Sequence, residues 1–104
     1  MDKKTFEKLE ADYLADCRTY DNAEFQLYDY RNEAQRNFEQ TQNYIGELEY
    51  QLQDPSLNYT FNNLQLDLED SYEEFKGLIR RKEDLLEDYR WENKKRFAEK
   101  TEKF

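Results

Sequence analysis

Two stripes of apolar residues, one in each half of the chain, recur at steps of three and four residues. A helix turns once every ~3.6 residues, so this spacing puts each stripe on one face of an α-helix. The pattern therefore predicts two long amphipathic helices. The members of the first stripe are Phe6, Leu9, Tyr13, Cys17, Tyr20, Leu27, Ala34, Phe38, Ile45, Leu48 and Leu52. The members of the second are Phe61, Leu64, Leu68, Tyr72, Phe75, Ile79, Leu86, Tyr89, Phe97 and Phe104.

The chain's single proline, Pro55, lies between the two stripes. Proline lacks the N–H that a helix interior needs, but it is favoured at the first helical position, where the preceding Asp54 can serve as a cap. We therefore predict an all-α fold in which two long antiparallel helices form a helical hairpin joined at Asp54-Pro55. The predicted boundaries are one domain over 1–104, helices over about 3–53 and 58–102, and a turn at 54–57.

Two smaller features concern the ends of these helices. Asp2 is predicted to be the N-cap of the first helix, because it precedes the first apolar-periodic residues. Leu57 and Tyr59, just after the turn, are expected to pack together over the corner.

The composition supports a folded helical chain over a disordered one. Charged residues make up 39% of the chain and the net charge is −9, which could suit disorder. Aromatic residues make up 16%, however, and they recur at helical spacing. There is no apolar run long enough to span a membrane, and the first residues lack the apolar core of a signal peptide. We expect a cytoplasmic protein, or one exported in a complex without a cleaved signal.

The residue types leave little for catalysis or metal binding. The chain has no histidine and one cysteine, Cys17, which removes the usual general base and the usual zinc ligands. Acidic pairs such as Glu73-Glu74 fall on polar helix faces, where a carboxylate pair is solvated and does not act as acid and base. We expect no enzyme, no cofactor and no metal site. Nucleic-acid binding is not expected either, because the pI is near 4.6.

Apolar residues outside the stripes are the strongest functional signal. Around Phe25, Leu27, Tyr28 and Tyr30, large apolar side chains surround much of the first helix, and one neighbouring helix cannot cover them all. Isolated surface tyrosines are the alternative explanation. We expect these positions to contact a helical protein partner, or a second copy in a homodimer. The candidate partner-binding residues are Phe25, Tyr28, Tyr30, Leu66 and Trp91.

Charge is distributed unevenly between the halves. Residues 1–54 have a net charge of −7 and residues 55–104 a net charge of −2, with a basic segment at the end. Antiparallel helices would place that basic segment beside the acidic start of the chain, whose carboxylates are Glu7, Glu10, Asp12 and Asp16.

In length, two-helix pattern and central turn, the chain resembles the small helical hairpins of bacterial type VII (ESX-like) secretion. The WXG-type members have Trp-x-Gly in the turn, whereas this turn is Asp54-Pro55-Ser56 and the only tryptophan is Trp91. Tyr20-x-x-x-Glu24 and Tyr50-x-x-x-Asp54 have the spacing of the export motif, but both lie in the first half of the chain and not after the second helix.

The Glu/Arg/Tyr-rich sequence is more similar to the small accessory proteins of LXG-type toxins. That resemblance implies a non-enzymatic targeting chaperone that binds the N-terminal helical domain of a secreted toxin and aids its export. A second small helical protein would then supply the missing export signal. Two alternatives remain open from the residues: a homo-oligomeric coiled-coil structural or regulatory protein of a phage or mobile element, and an acidic DNA-mimic inhibitor. The hairpin could also form within one chain or by exchange between two.

Overall fold

A computed structural model describes residues 2–102, and within them it contains helices and no strands. Helix α1 spans Lys3–Leu52 and helix α2 spans Asn58–Glu102, with a single 3₁₀ turn at Pro55–Leu57 between them. The predicted all-α helical hairpin, joined at Asp54-Pro55, is confirmed. Phe104, the last member of the predicted second stripe, lies outside the described residues.

The first helix starts at a side-chain cap. The backbone N–H of Thr5 donates to the Asp2 carboxylate at 2.7 Å, and the N–H of Phe6 donates to the Asp2 carbonyl at 3.2 Å. These bonds satisfy amide groups that have no partner in the first turn of a helix. The hydrogen bonds from Thr5 lower the pKa of Asp2 below its usual value. The prediction of Asp2 as N-cap is confirmed.

The first helix ends at Leu52, and the next residue, Gln53, has a left-handed backbone with φ of 42°. Its N–H still donates to the Glu49 carbonyl at 3.1 Å, which closes the last turn. A residue in this conformation commonly ends a helix, and glycine is preferred there because a Cβ makes the conformation unfavourable. Gln53 therefore reverses the chain at some local strain.

Asp54 then starts the next element. Its carboxylate accepts hydrogen bonds from the Ser56 N–H at 3.0 Å and from the Ser56 hydroxyl at 2.7 Å. Both hydrogen bonds lower the pKa of Asp54, and the bond from the Ser56 hydroxyl has the larger effect. Leu57 is half-buried at this corner, but Tyr59 is 78% exposed. The expected packing of Tyr59 over the corner is therefore wrong.

Two compact units make up the hairpin. Within the described residues, the end unit consists of residues 2–28 together with residues 81–102. The corner unit consists of residues 29–80 and includes the turn. In each unit, a segment of α1 packs against a segment of α2.

The end unit is held by aromatic pairs across its two helix segments. Tyr13 stacks on Phe97 with ring centroids 4.5 Å apart, and Tyr20 stacks on Tyr89 at 6.4 Å. Both α1 tyrosines are half-buried, whereas Tyr89 is 56% exposed and covers the edge of the contact rather than its centre.

Asn93 occupies a core position in the same unit. It interrupts the second apolar stripe in the sequence, yet it is only 7% exposed. Its amide donates toward the Tyr13 carbonyl at 3.4 Å and the Cys17 Sγ at 3.8 Å. A polar side chain thus lies inside the helix–helix contact.

The corner unit contains the buried apolar residues among those described. Ile45, Phe61 and Ile79 are between 4% and 7% exposed, and Phe38 stacks on Tyr72 with ring centroids 4.4 Å apart. Two predicted members of the stripes, Leu52 and Leu64, are instead about half exposed, and half-buried Gln65 lies where Leu64 was expected.

Candidate interaction surfaces

Much of the large apolar surface of the chain remains exposed when the two helices pair. Within residues 2–102, three apolar side chains are buried and fifteen large ones are exposed. A two-helix hairpin buries one face of each helix, so any apolar residue outside that face stays in water. The surfaces formed by these residues are the candidate functional sites.

The end unit has an apolar face on α1, formed by Leu14, Phe25 and Tyr28. These side chains are 46%, 70% and 58% exposed. Phe25 and Tyr28 are three residues apart and adjacent on one face, and Leu14 lies on the same face about three turns earlier, with the charged residues Arg18 and Asp21 between it and Phe25. Among the predicted partner-binding residues, the fold places Phe25 and Tyr28 next to each other on this surface, which we call the α1 face.

An ion pair between the helices borders the α1 face. The Arg90 guanidinium on α2 binds Asp21 at 3.0 Å and also binds Glu24. Phe25 and Tyr28 each lie four residues after one of these acids, and therefore on the same side of the unit. The sequence predicted that the basic segment pairs with acids between Glu7 and Asp16. Arg90 instead pairs with Asp21 and Glu24, which lie one to two turns after Asp16.

Trp91 is 60% exposed in the end unit and lies about 100° further around α2 than Arg90. The Lys95 ammonium lies 5.1 Å from the centroid of its ring, which is within range of a cation–π contact. Trp91 is therefore outside the helix–helix contact, as the sequence predicted, and presents an aromatic surface with a cation over it.

The corner unit has an open groove of about 390 Å³ between its helix segments. Phe38 and Phe75 provide apolar surface, Ala34 and Ser71 are small residues on the two helices, and Tyr30 lines one wall. Small side chains at these positions leave space that a Leu or Phe would fill. Tyr30 is 55% exposed. Leu66, the last predicted candidate, is 57% exposed in this unit and is not among the residues that line the groove.

Sequence reasoning missed this groove and the exposure of Tyr44 and Tyr59 near the corner, whereas it placed Tyr50 outside the first stripe. Tyr44, Tyr50 and Tyr59 are all more than 60% exposed. The alternation of small Ala34 and Ser71 with large neighbours was a possible signal for the groove. It could be used only with knowledge of which residues of α1 and α2 face each other.

The corner unit is also strongly acidic. From Asn37 to Phe75 the chain has nine carboxylates and no lysine or arginine over 39 residues. Glu33 lines the groove on α1, and Asp67 and Glu74 lie one turn before and three residues after the groove residue Ser71 on α2. The Lys76 ammonium lies 4.7 Å from the ring centroid of the groove residue Tyr72 and pairs with Glu73. The groove is thus apolar inside, with more acids than bases at its edges.

Within residues 2–102, no group of three or more His, Cys, Asp and Glu side chains is placed to hold a metal ion. Cys17 is a half-buried free thiol that packs beside Tyr13, and its hydrogen bond raises the pKa of the Tyr13 phenol. No helix in the described part of the chain is long and apolar enough to cross a membrane. These surfaces can therefore make apolar contacts, with charged side chains beside them.

No family model, no curated protein and no solved structure matches the chain.

Proposed function

We propose that the chain is a non-enzymatic helical partner that binds the N-terminal helical domain of a type VII secreted toxin and aids its export as a targeting chaperone. The observation that carries the proposal is the α1 face, where Phe25 and Tyr28 are 70% and 58% exposed on one side of a helix. Neighbouring exposed aromatic side chains are typical of protein interfaces, and aromatic residues are the usual energetic centres of such contacts.

The α1 face suits another helix better than it suits a small molecule. Phe25 and Tyr28 lie about one turn apart on α1, so an approaching helix can contact both at once, whereas Leu14 lies about three turns earlier, beyond Arg18 and Asp21. A third helix would turn the two-helix end unit into a bundle, in which the apolar side chains outside the first contact are covered. The helical N-terminal domain of a toxin supplies such helices.

The first experiment identifies the partner. The tagged full chain is expressed in its native host, recovered at moderate salt, and analysed by mass spectrometry. We expect a larger secreted protein with a long helical N-terminal domain, with or without a second small helical protein. Recovery of the chain alone, with a concentration-independent dimer mass, would favour the homo-oligomeric coiled coil and overturn the proposal.

The second experiment tests the α1 face with the recovered toxin domain. Phe25→Ala with Tyr28→Ala should weaken binding at least tenfold, because truncation of central interface aromatics typically removes about 2 kcal/mol or more. Helicity by circular dichroism should stay unchanged, since both side chains are exposed. The matched control is Tyr44→Ala with Tyr50→Ala, which truncates two exposed aromatics in the corner unit. Unchanged binding by the Phe25→Ala, Tyr28→Ala variant would remove the α1 face from the interface.

Salt distinguishes the acidic DNA-mimic alternative. A complex between acidic surface and a basic DNA-binding protein should weaken steeply between low and high salt, since exposed charges are screened. Binding through Phe25 and Tyr28 should change little over the same range. A complex that dissociates at moderate salt and survives the Phe25→Ala, Tyr28→Ala double substitution would favour the mimic.

A further inference from the structure

The groove of the corner unit is a second surface, separate from the α1 face, and its chemistry indicates what it binds. Its inner surface is apolar, and both walls are helices whose backbone groups are already paired within the helix. An extended peptide strand would find no free backbone edge there to pair with. A third helix can lay a row of side chains between the two existing helices, as in ordinary helix packing.

The charges around the groove indicate which kind of helix it can bind. The two segments that form the groove, residues 30–41 and 67–76, have seven acids and three bases, and one of the bases, Lys76, lies over the groove residue Tyr72. Glu33 on one helix, and Asp67 and Glu74 on the other, flank its apolar interior. An acidic or neutral helix laid there would leave these carboxylates without compensation, whereas lysine and arginine side chains would reach them from the edges of an apolar stripe.

A second copy of this chain fits the groove poorly. The net charge of the chain is −9, and residues 29–80, which form the corner unit, have eleven acids and four bases. Two corner units brought together would therefore repel each other. Charge complementarity favours a different molecule.

We propose that the corner-unit groove binds a basic amphipathic helix of a partner protein, with one large apolar side chain between Ala34 and Ser71 and Lys or Arg side chains over Glu33 and Glu74. The inference goes beyond the proposed function, and rests on it only for the identity of the partner as the toxin's helical domain. It adds the chemical class of the recognised segment and a second contact surface.

The test uses the full-length chain and a fluorescently labelled synthetic peptide of 21 residues, patterned with Leu and Phe in helical heptads and Lys at the polar positions. A second peptide with Glu in place of Lys is the probe for charge. Fluorescence anisotropy should show binding of the Lys peptide and at least tenfold weaker binding of the Glu peptide. Equal binding of the two peptides would overturn the charge argument.

Two variants of the chain test the groove itself. Ser71→Phe fills the groove from an exposed position, and should weaken the Lys peptide at least tenfold without loss of helicity. Glu33→Lys with Glu74→Lys reverses the edge charges, and should weaken it to a similar extent. The matched control is Glu47→Lys with Glu49→Lys, which makes the same change in net charge in the same unit at residues more than one helical turn beyond Thr41, where the α1 lining of the groove ends. Binding should change less than threefold in this control.

Two results would overturn the proposal. Equal weakening in the control and the groove-edge variants would mean that the peptide responds to net charge alone. A doubling of molecular mass with concentration, abolished by Ser71→Phe, would mean that a second copy fills the groove.

The outcome is separable from that of the proposed function. If the groove variants retain the toxin domain with full affinity while the Phe25→Ala, Tyr28→Ala variant loses it, the groove inference fails and the proposed function stands. If no toxin is recovered but the Lys peptide binds through the groove, the proposed function fails and the groove inference stands.

Discussion

The side-chain amide of Asn93 on α2 lies 3.4 Å from the backbone carbonyl of Tyr13 on α1, inside the helix–helix contact of the end unit. The carbonyl belongs to the interior of a helix, where it already accepts the N–H of the residue four positions later. The Asn93 hydrogen bond is therefore an additional bond whose loss leaves no buried carbonyl without a partner. A polar residue at such a position tends to fix the register and pairing of helices while it lowers their stability.

Asn93→Leu should accordingly stabilise the chain and make its pairing less specific. Burial of an apolar side chain at this 7% exposed position should raise the free energy of unfolding by about 1 kcal/mol or more. Without the Asn93 amide, α1 and α2 should be able to pair in other registers. We therefore expect a larger fraction of dimers in which α1 of one chain pairs with α2 of another. Urea denaturation and light scattering after size-exclusion chromatography measure the two effects.

The control for this prediction is Asn22→Leu, a substitution of the same type at an exposed position of the end unit. It should leave both the pairing and most of the stability unchanged. A loss of stability in Asn93→Leu would show that the amide contributes more than an apolar side chain can, through its contacts with Tyr13 and Cys17.

The fold could be predicted from the sequence because apolar periodicity and turn chemistry both indicate the same two helices. Apolar periodicity predicted both helices, and Asp54-Pro55 predicted where one ends and the next begins, as the Asp54–Ser56 hydrogen bonds confirm. The aromatic contacts of Tyr13 with Phe97 and of Phe38 with Tyr72 join members of the two predicted stripes. These features depend on local spacing and turn chemistry alone.

Which residues lie in the contact between α1 and α2 could not be predicted without the register of the two helices. Periodicity could not decide between Leu64 and Gln65, since neighbouring positions at the edge of a stripe differ by only about 100° around the helix. The groove depends on Ala34 and Ser71 lining one space, which is set by the length and geometry of the corner. The exposed α1 face, in contrast, follows directly from the positions of Phe25 and Tyr28 outside the first stripe.

Arg90→Ala should have a small, salt-dependent effect on stability. The pairs that Arg90 forms with Asp21 and Glu24 are largely exposed, and exposed pairs contribute about 0–1 kcal/mol each. We expect the free energy of unfolding to fall by roughly 1 kcal/mol at low salt, and by less at ~1 M NaCl, where charges are screened within a few Å. Urea denaturation at both salt concentrations measures this.

Arg96→Ala is the control for Arg90→Ala, since the Arg96 side chain bonds a carbonyl of its own helix, that of Glu92. It should change stability less than Arg90→Ala does. A loss in Arg90→Ala that is the same at both salt concentrations would mean that packing of the half-buried Arg90 stem matters more than its charge.

Gly46→Ala and Gly77→Ala should each stabilise the isolated chain. Both glycines lie inside long helices, and a Cβ added at either would meet nothing within 4 Å. Alanine is favoured over glycine in a helix interior by about 0.5–1 kcal/mol, so each substitution should raise the free energy of unfolding by that amount. Thermal and urea denaturation measure the gain, and the effects should add in the double variant because the sites have no common contact.

The same glycine variants also report on the partner. A chain that is more stable alone but binds the toxin domain more weakly would place a partner backbone close to that glycine. A loss of stability in the isolated chain would contradict the open space around both positions.

Asp54 should make the corner sensitive to acid. Its hydrogen bonds with Ser56 hold its pKa below the ordinary value of 3.8, so the ionised form is favoured in the folded state. A lowered folded pKa gives stability that is present above the pKa of the unfolded chain and is lost as pH falls through the folded value. Asp54→Asn keeps an acceptor oxygen but does not titrate. The melting temperature of the wild type should therefore exceed that of Asp54→Asn at pH 7 and pH 5, and the gap should narrow once the pH falls below the ordinary pKa of 3.8 and close in stronger acid.

Two further variants complete the test of Asp54. Asp54→Ala removes the acceptor altogether, and should melt below Asp54→Asn at every pH because the Ser56 N–H then loses its side-chain partner. Asp29→Asn removes the same charge from the middle of α1, and corrects for the change in net charge. Circular dichroism melts across the pH series compare all four proteins. If the difference in melting temperature between wild type and Asp54→Asn is the same at pH 7 and at pH 2, the ionised carboxylate is not what stabilises the corner. The contribution of Asp54 would then be independent of its charge.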